Sequence, residues 1–254
     1  MGQIEEAPLT SEKPSAGRSG HTAMKPGTLY IVATPIGNLS DVTRRALEVL
    51  GAVDLIAAED TRVTRKLLSA YAVSTPLTSY HAHSSSKKEA ELLAKLGGGA
   101  SIALVTDAGT PAISDPAVRL VRAALEAGCT VVPVPGPSAL TAALSASGLP
   151  SDTFTFEGFL STKAGRRRRR LEELATLGHT VVLYESPHRL KKLLGELKET
   201  FGPERPCVVA REVSKLYEEF LRGTVAEVAE ELAGREVKGE VTVIVGPPRR
   251  MKTR

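Results

Sequence analysis

Tryptophan is missing from the 254 residues and aromatics make up only 4%, so broad stacking platforms for unpaired bases are not expected. Cysteine is scarce as well. Cys129 and Cys207 alone cannot build a disulfide framework or a Cys-rich tetrahedral zinc site. No apolar run approaches the roughly 20 residues of a membrane span. The N-terminus lacks the basic-then-apolar order of a secretory signal, and a cytoplasmic protein with no membrane partner is expected. What is present is ordinary for a globular chain, with 42% hydrophobic and 24% charged residues; that suffices for one large core or two smaller ones. The net charge of +4 mildly favours a polyanionic partner.

Residues 1–26 are rich in Pro, Ser, Gly and charge without apolar period and read as a flexible leader; residues 247–254 read as a basic tail. Between them, short β-branched runs alternate with amphipathic stretches. LYIVATP (29–35), VDLIAAE (53–59), SIALVTD (101–107) and TVVPVP (130–135) have the unbroken apolar character of strands buried on both faces. One helical stretch places Leu39, Val42, Ala46 and Leu50 on a face, another Val118, Val121 and Leu125. Asp115-Pro116 reads as a helix start, and Ser86 with Glu89 as a capping box. This βα alternation predicts an α/β domain with a mostly parallel sheet over 27–148. A second α/β domain with a mixed sheet is predicted over 149–246, from TFTFEGF, TVVLYES, CVVARE, EEFLRGT and EVTVIVG. Its helix starts at Ser186-Pro187 and carries Leu190, Leu193, Leu194 and Leu197, and Thr224 with Glu227 forms a further capping box. The Gly-Leu-Pro-Ser-Asp stretch (148–152) is the hinge candidate.

Ligands of open parallel sheets bind beyond the carboxyl ends of the strands. Those ends carry Thr34-Pro35-Ile36-Gly37-Asn38-Leu39, Glu59-Asp60-Thr61-Arg62, Asp107-Ala108-Gly109-Thr110-Pro111 and Pro135-Gly136-Pro137-Ser138-Ala139. The first is no dinucleotide fingerprint: it has one glycine, and its proline donates no amide. DAGTP and PGPSA each read equally as plain βα turns, but together at one sheet edge they point to a ligand crevice. Glu59 and Asp60 are the carboxylates placed to orient an acceptor or take its proton, and Arg62 could hold a phosphate. The other reading of this cluster is an Asp helix cap beside a surface Arg.

TPIGNL, AAEDTR, DAGTP, PGPSA, GFL (158–160), YESPHR (184–189), ARE (210–212) and KGE (238–240) follow one another in this order. In them the chain resembles the ribosomal RNA small-subunit methyltransferase I family, the cytidine ribose 2′-O-methyltransferases of the tetrapyrrole methylase superfamily. The resemblance implies S-adenosylmethionine (SAM) as methyl donor, bound in a ligand cleft between the two α/β domains, a homodimer, and an acceptor cytidine in the decoding region of 16S rRNA within the small ribosomal subunit. It also implies a donor pocket at Pro35, Ala108, Gly109, Thr110, Ile113, Ser138, Ala139, Glu185, Ala210 and Glu240. Relatives acting on tetrapyrroles often carry a Gly-rich first loop and Gly-Asp-Pro where this chain has TPIGNL and Gly109-Thr110-Pro111, which argues against a tetrapyrrole substrate. A methylase of a small tetrapyrrole-like molecule and a non-catalytic RNA-binding module are the alternatives.

Arg166, Arg167, Arg168, Arg169 and Arg170 stand in a row. Helical residues turn by about 100° each, so five cannot form one stripe, and some are expected in a loop or frayed helix start. Like charges so close are costly without an anion, and RNA phosphate is the counter-charge favoured here over a solvated basic surface. Arg189, Arg211 and His81 are further candidate RNA contacts. His81 and His83 lack a third ligand at metal spacing, and no metal is expected.

Overall fold

The computed structural model describes residues 25–115 and 117–248. The leader assigned to 1–26 and the tail assigned to 247–254 therefore lie, apart from their two innermost residues each, outside the described residues, as does Pro116. The four apolar runs of the first half form β1 (Thr28–Val32), β2 (Leu55–Ala58), β4 (Ile102–Val105) and β5 (Thr130–Val134), and a short strand outside them, β3 (Leu77–Ser79), completes the sheet. They pair in the order β3-β2-β4-β1-β5, every neighbour parallel. Helices α1 (Arg44–Ala52), α2 (Thr61–Ala70), α3 (Ser86–Gly97), α4 (Val118–Glu126) and α5 (Ala139–Ser145) alternate with them. On one face α1 packs over Tyr30, Val32, Ile56 and Val105. On the other, α3 and α4 cover Leu29, Ala57, Ile102 and Leu104. Burial on both faces is why these strands read as unbroken apolar runs.

The second group forms β6 (Phe154–Phe159), β7 (Thr180–Glu185), β8 (Pro206–Arg211), β9 (Glu219–Thr224) and β10 (Val241–Val245), ordered β6-β7-β10-β8-β9. β6 and β7 are parallel and the other pairs antiparallel, so this sheet is mixed. Helices α6 (Ala164–Ala175), α7 (Pro187–Thr200) and α8 (Val225–Ala233) cover one face. Leu190, Leu193, Leu194 and Leu197 of α7 are all buried there, and Thr224 and Glu227 form the expected capping box of α8. The opposite face of the sheet packs against Ala143 and Leu144 of α5.

Several local readings are corrected. Leu39 lies in a 3-10 turn and is 48% exposed, because the Thr43 hydroxyl accepts from Ala46 N and starts α1 only at Arg44. Its buried face is Ala46, Val49 and Leu50. In α4 the core side is Leu120 and Ala124, while Val118 and Leu125 are 48% and 58% exposed. α3 is capped by Ser85 rather than Ser86, and Glu89 instead accepts from the Tyr80 hydroxyl at 2.8 Å and pairs with Arg119. Asp115 accepts from Ala117 N, but α4 begins at Val118 without a side-chain cap. All five arginines of the run are helical, in α6.

Candidate active site

Three loops are tied together at the carboxyl edge of the parallel sheet. Thr34 and Gly109 exchange both backbone hydrogen bonds, at 2.9 and 3.0 Å, which joins the loop after β1 to the loop after β4. The Thr34 hydroxyl donates to the Thr106 carbonyl, and the Thr110 hydroxyl to the Pro137 carbonyl after β5. Gly109 takes φ +84° at this junction, a conformation that costs a side-chain-bearing residue dearly. Beyond it, Ala112 and Ser114 also have positive φ, strain of the kind that collects at ligand sites.

These loops and the second sheet enclose a cavity of about 370 Å³, within the range of small-molecule sites. Ala108, Gly109, Thr110, Ile113, Ser138 and Ala139 line it from the first half of the chain, Glu185 and Glu240 from the second. Tyr184, Phe159 and Val213 supply apolar wall. Burial pushes the Tyr184 phenol above its ordinary pKa. Pro35 instead lines an adjoining cavity, also of about 370 Å³. Ala210 lines neither; it is fully buried in the core that α5 shares with the second sheet. A larger hollow of about 530 Å³, bordered by Asp41, Thr43, Gly136, Ser214 and Phe220, holds none of the residues that end β2 and β4.

The carboxylates divide by environment. Glu59 lines the first cavity; its Oε2 accepts from the Thr106 hydroxyl at 2.5 Å and from Asp107 N at 3.3 Å. Asp60 caps α2, accepting from Arg62 N, and its side chain holds the Arg62 guanidinium at 2.6 Å. That hydrogen bonding depresses its pKa to about 2, and Arg62 is otherwise 83% exposed. Asp107, which is not among the site residues expected from the sequence, accepts from Asp60 N at 2.9 Å. Burial, then the charges of Glu59, Asp60 and Asp115, raises its pKa. The available signal was that DAGTP and EDTR each end an apolar strand. Among the described residues, Asp115 Oδ2 and Glu185 Oε2 are buried without a hydrogen-bond partner, but Glu185 Oε2 faces the Arg167 guanidinium at 3.4 Å, which leaves Asp115 Oδ2 as the open acceptor.

The candidate RNA contacts are scattered. Arg167 is 2% exposed and pairs with Glu196 at 2.5 Å and Glu185 at 3.4 Å. Arg168 pairs with Glu172, and Arg170 with Glu157 and Glu173. Arg166 and Arg169 are exposed and form no ion pair among the described residues. Arg189 holds Glu185 at 2.5 Å, and Arg211 holds Glu219. His81 is exposed just past β3, its Nδ1 accepting from His83 N. Among the described residues, no group of three or more His, Cys, Asp or Glu side chains has metal-binding geometry, and no helix is long and apolar enough to cross a membrane.

The family profile of the tetrapyrrole (corrin/porphyrin) methylases matches residues 28–229. Two similar proteins are named ribosomal RNA small subunit methyltransferase I. That of Mesorhizobium japonicum is 51% identical over 220 residues, covering 86% of this chain and 75% of its own. That of Synechocystis is 52% identical over 219 residues, covering 86% and 78%. Among solved structures, a cobalt precorrin-4 methyltransferase superposes with TM-score 0.68 at 19% identity, over 87% of this chain and 95% of its own. The uroporphyrin-III C-methyltransferase of Thermus thermophilus, complexed with S-adenosyl homocysteine, superposes with TM-score 0.60 at 21% identity, over 86% and 97%. Both share the fold.

Proposed function

The chain belongs to the tetrapyrrole methylase family, in its ribosomal RNA small subunit methyltransferase I branch. On that footing we propose that it uses SAM to methylate the ribose 2′-hydroxyl of a cytidine in the decoding region of 16S rRNA. The observation that carries this reading is the cavity walled by DAGTP and PGPSA, with a buried carboxylate oxygen of the lining residue Asp115 that has no hydrogen-bond partner among the described residues. A donor bearing an ammonium group fits that lining, since an unpaired buried acceptor is costly until a donor reaches it. Main-chain groups of 108–110 and 138–139 supply the remaining hydrogen bonds.

SAM supplies an already electrophilic methyl carbon: its bond to sulfur breaks as the bond to the acceptor oxygen forms, sulfur keeps the bonding pair, and the hydroxyl proton passes to a base. The protein's task is alignment, exclusion of water and a place for that proton. Glu59, held by Thr106 and the Asp107 amide, is fixed to orient the acceptor. Asp60 sets the start of α2 and holds the exposed Arg62 guanidinium, whose N–H groups not taken by Asp60 would meet a phosphate. Work on ribosomal RNA implies a cytoplasmic protein, and the proposed homodimer would cover Val118 and Leu125 of α4.

Labelled SAM incubated with small ribosomal subunits and, in parallel, with tetrapyrrole precursors tests the reading. Label in a 2′-O-methylcytidine is the expected result. Label in a tetrapyrrole would establish the small-molecule alternative, and RNA binding without transfer the non-catalytic one.

A further inference from the structure

The cavity that holds Pro35 shares Ile36, Thr106, Ala108 and Glu240 with the cavity assigned to the donor. Two chambers of about the same size, 370 Å³ each, thus meet along one common rim. The second is bounded by the loop after β1 and by α2, and its chemistry differs from the first. Leu39 and Val63 offer partly exposed apolar surface to it. Lys66 is a cation with no ion pair among the described residues, Lys215 pairs with Glu240 at 3.1 Å, and Asp107 is the carboxylate at the end of β4. Arg62 and Arg65 are exposed on the same helix as Lys66.

We propose that this second chamber receives the acceptor nucleotide, lifted out of its RNA strand, with the base against Leu39 and Val63 and its phosphates toward Lys66 and the exposed arginines of α2. The proposal rests on the methyltransferase reading above and adds to it the place and polarity of the acceptor. Enzymes that modify one nucleotide within a folded strand extrude it into a pocket with apolar walls, and cations at the mouth neutralise the flanking phosphates. The shared rim is where the hydroxyl and the methyl carbon can approach, because it is the boundary common to both chambers. Asp107 lies at that rim beside Thr106 and Ala108. Its Oδ1 is occupied by Asp60 N, which leaves Oδ2 for the hydroxyl. Asp107 accepts the hydroxyl proton as the oxygen–carbon bond forms. Its burial, and then the charges of Glu59 and Asp60 beside it, make it a better base than an isolated aspartate, since both favour the protonated form.

Val63→Trp fills the second chamber from a partly exposed position, and Lys66→Glu reverses its cation without adding bulk. SAM affinity by calorimetry should stay near wild type in both. The KM for small ribosomal subunits should rise at least about tenfold, that of Lys66→Glu with a shallower salt dependence. Asp107→Asn should instead lower kcat at little change in KM and remove the acidic limb of the rate–pH profile. Unchanged KM in Val63→Trp and Lys66→Glu, with active wild type, overturns the acceptor chamber and leaves the methyltransferase reading standing. Loss of SAM binding in either folded variant overturns it too, by making the chamber part of the donor site. A wild type that methylates no ribosomal RNA removes the reading itself.

Discussion

Gly109 and Asp107 sit two residues apart and respond to substitution for different reasons. A Cβ at Gly109 would meet Ile36 at 3.5 Å and the Pro137 carbonyl at 3.9 Å, ordinary contacts. The obstacle is φ +84°, which for a β-branched residue costs about 1–3 kcal/mol. Gly109→Val should therefore distort the Thr34–Gly109 bridge and weaken SAM binding; calorimetry on protein with a native circular dichroism spectrum checks this. Asp107 and Asp60 have opposite linkage to pH. The raised pKa of Asp107 means that the folded chain holds a proton the unfolded chain has lost, so stability falls as pH rises through that window. Asp107→Asn, which keeps the acceptor for Asp60 N, should raise the Tm at pH 7. The gain should vanish below the ordinary carboxylate pKa of about 3.9. The depressed pKa of Asp60 makes its contribution present at neutral pH and lost as pH falls toward about 2. Melting curves across pH for Asp107→Asn and Asp60→Asn should thus diverge in sign at neutral pH.

At the scale of the element, α6 shows how a run of like charge can be accommodated without nucleic acid. Glu157 on β6, Glu185 on β7, Glu196 on α7, and Glu172 and Glu173 one turn along α6 supply the counter-charges. The helix forms throughout because each turn finds an anion within the protein. Removing one partner of a buried ion pair leaves the other charge uncompensated. Arg167→Met should accordingly lower stability by about 3 kcal/mol in urea denaturation. Arg166 and Arg169 are the members free for phosphate. Changing both to Ser should leave stability within about 0.5 kcal/mol. It should flatten the log K against log salt plot for RNA by about 1.4–1.8 units, two contacts' worth. Equal slopes for wild type and the double variant would return α6 to a solvated basic surface.

Across the whole molecule, α5 precedes residues 148–152 in sequence yet packs on the second sheet. Ala143 and Leu144 share a core with Val182, Val208, Ala210 and Ile244. Ile36, from the loop after β1, enters the same core and also borders both chambers. The two halves are thereby coupled through apolar contact as well as through the cleft. Calorimetry should show one cooperative unfolding transition; two resolved transitions would mean that the α5 contact carries no coupling. Sedimentation should find a dimer that Val118→Asp with Leu125→Asp dissociates, and a monomeric wild type would refute the α4 interface.

Every strand position but that of β3, the α7 leucine face, the Thr224–Glu227 box and the DAGTP and PGPSA loops are legible in the chain alone. Each depends on a few consecutive residues: apolar runs, helical period, or the turn chemistry of Gly and Pro. Ala46 and Leu50 hold their place on the α1 face, but Leu39 falls outside it and the α4 face is turned, because a cap at Thr43 and packing at Leu120 set where those helices begin and how they rotate. Asp107 was passed over because its neighbours Glu59 and Asp60 lie 47 or 48 positions away. Only the adjacency of β2 and β4 in the order β3-β2-β4-β1-β5 brings the three carboxylates together. The arginine run shows the same division. Its charge was plain in the sequence, but tertiary packing decided that Arg167 turns inward to Glu185 and Glu196 while Arg166 and Arg169 face water. A charge finds its partner by proximity in space, which strand order and helix packing determine.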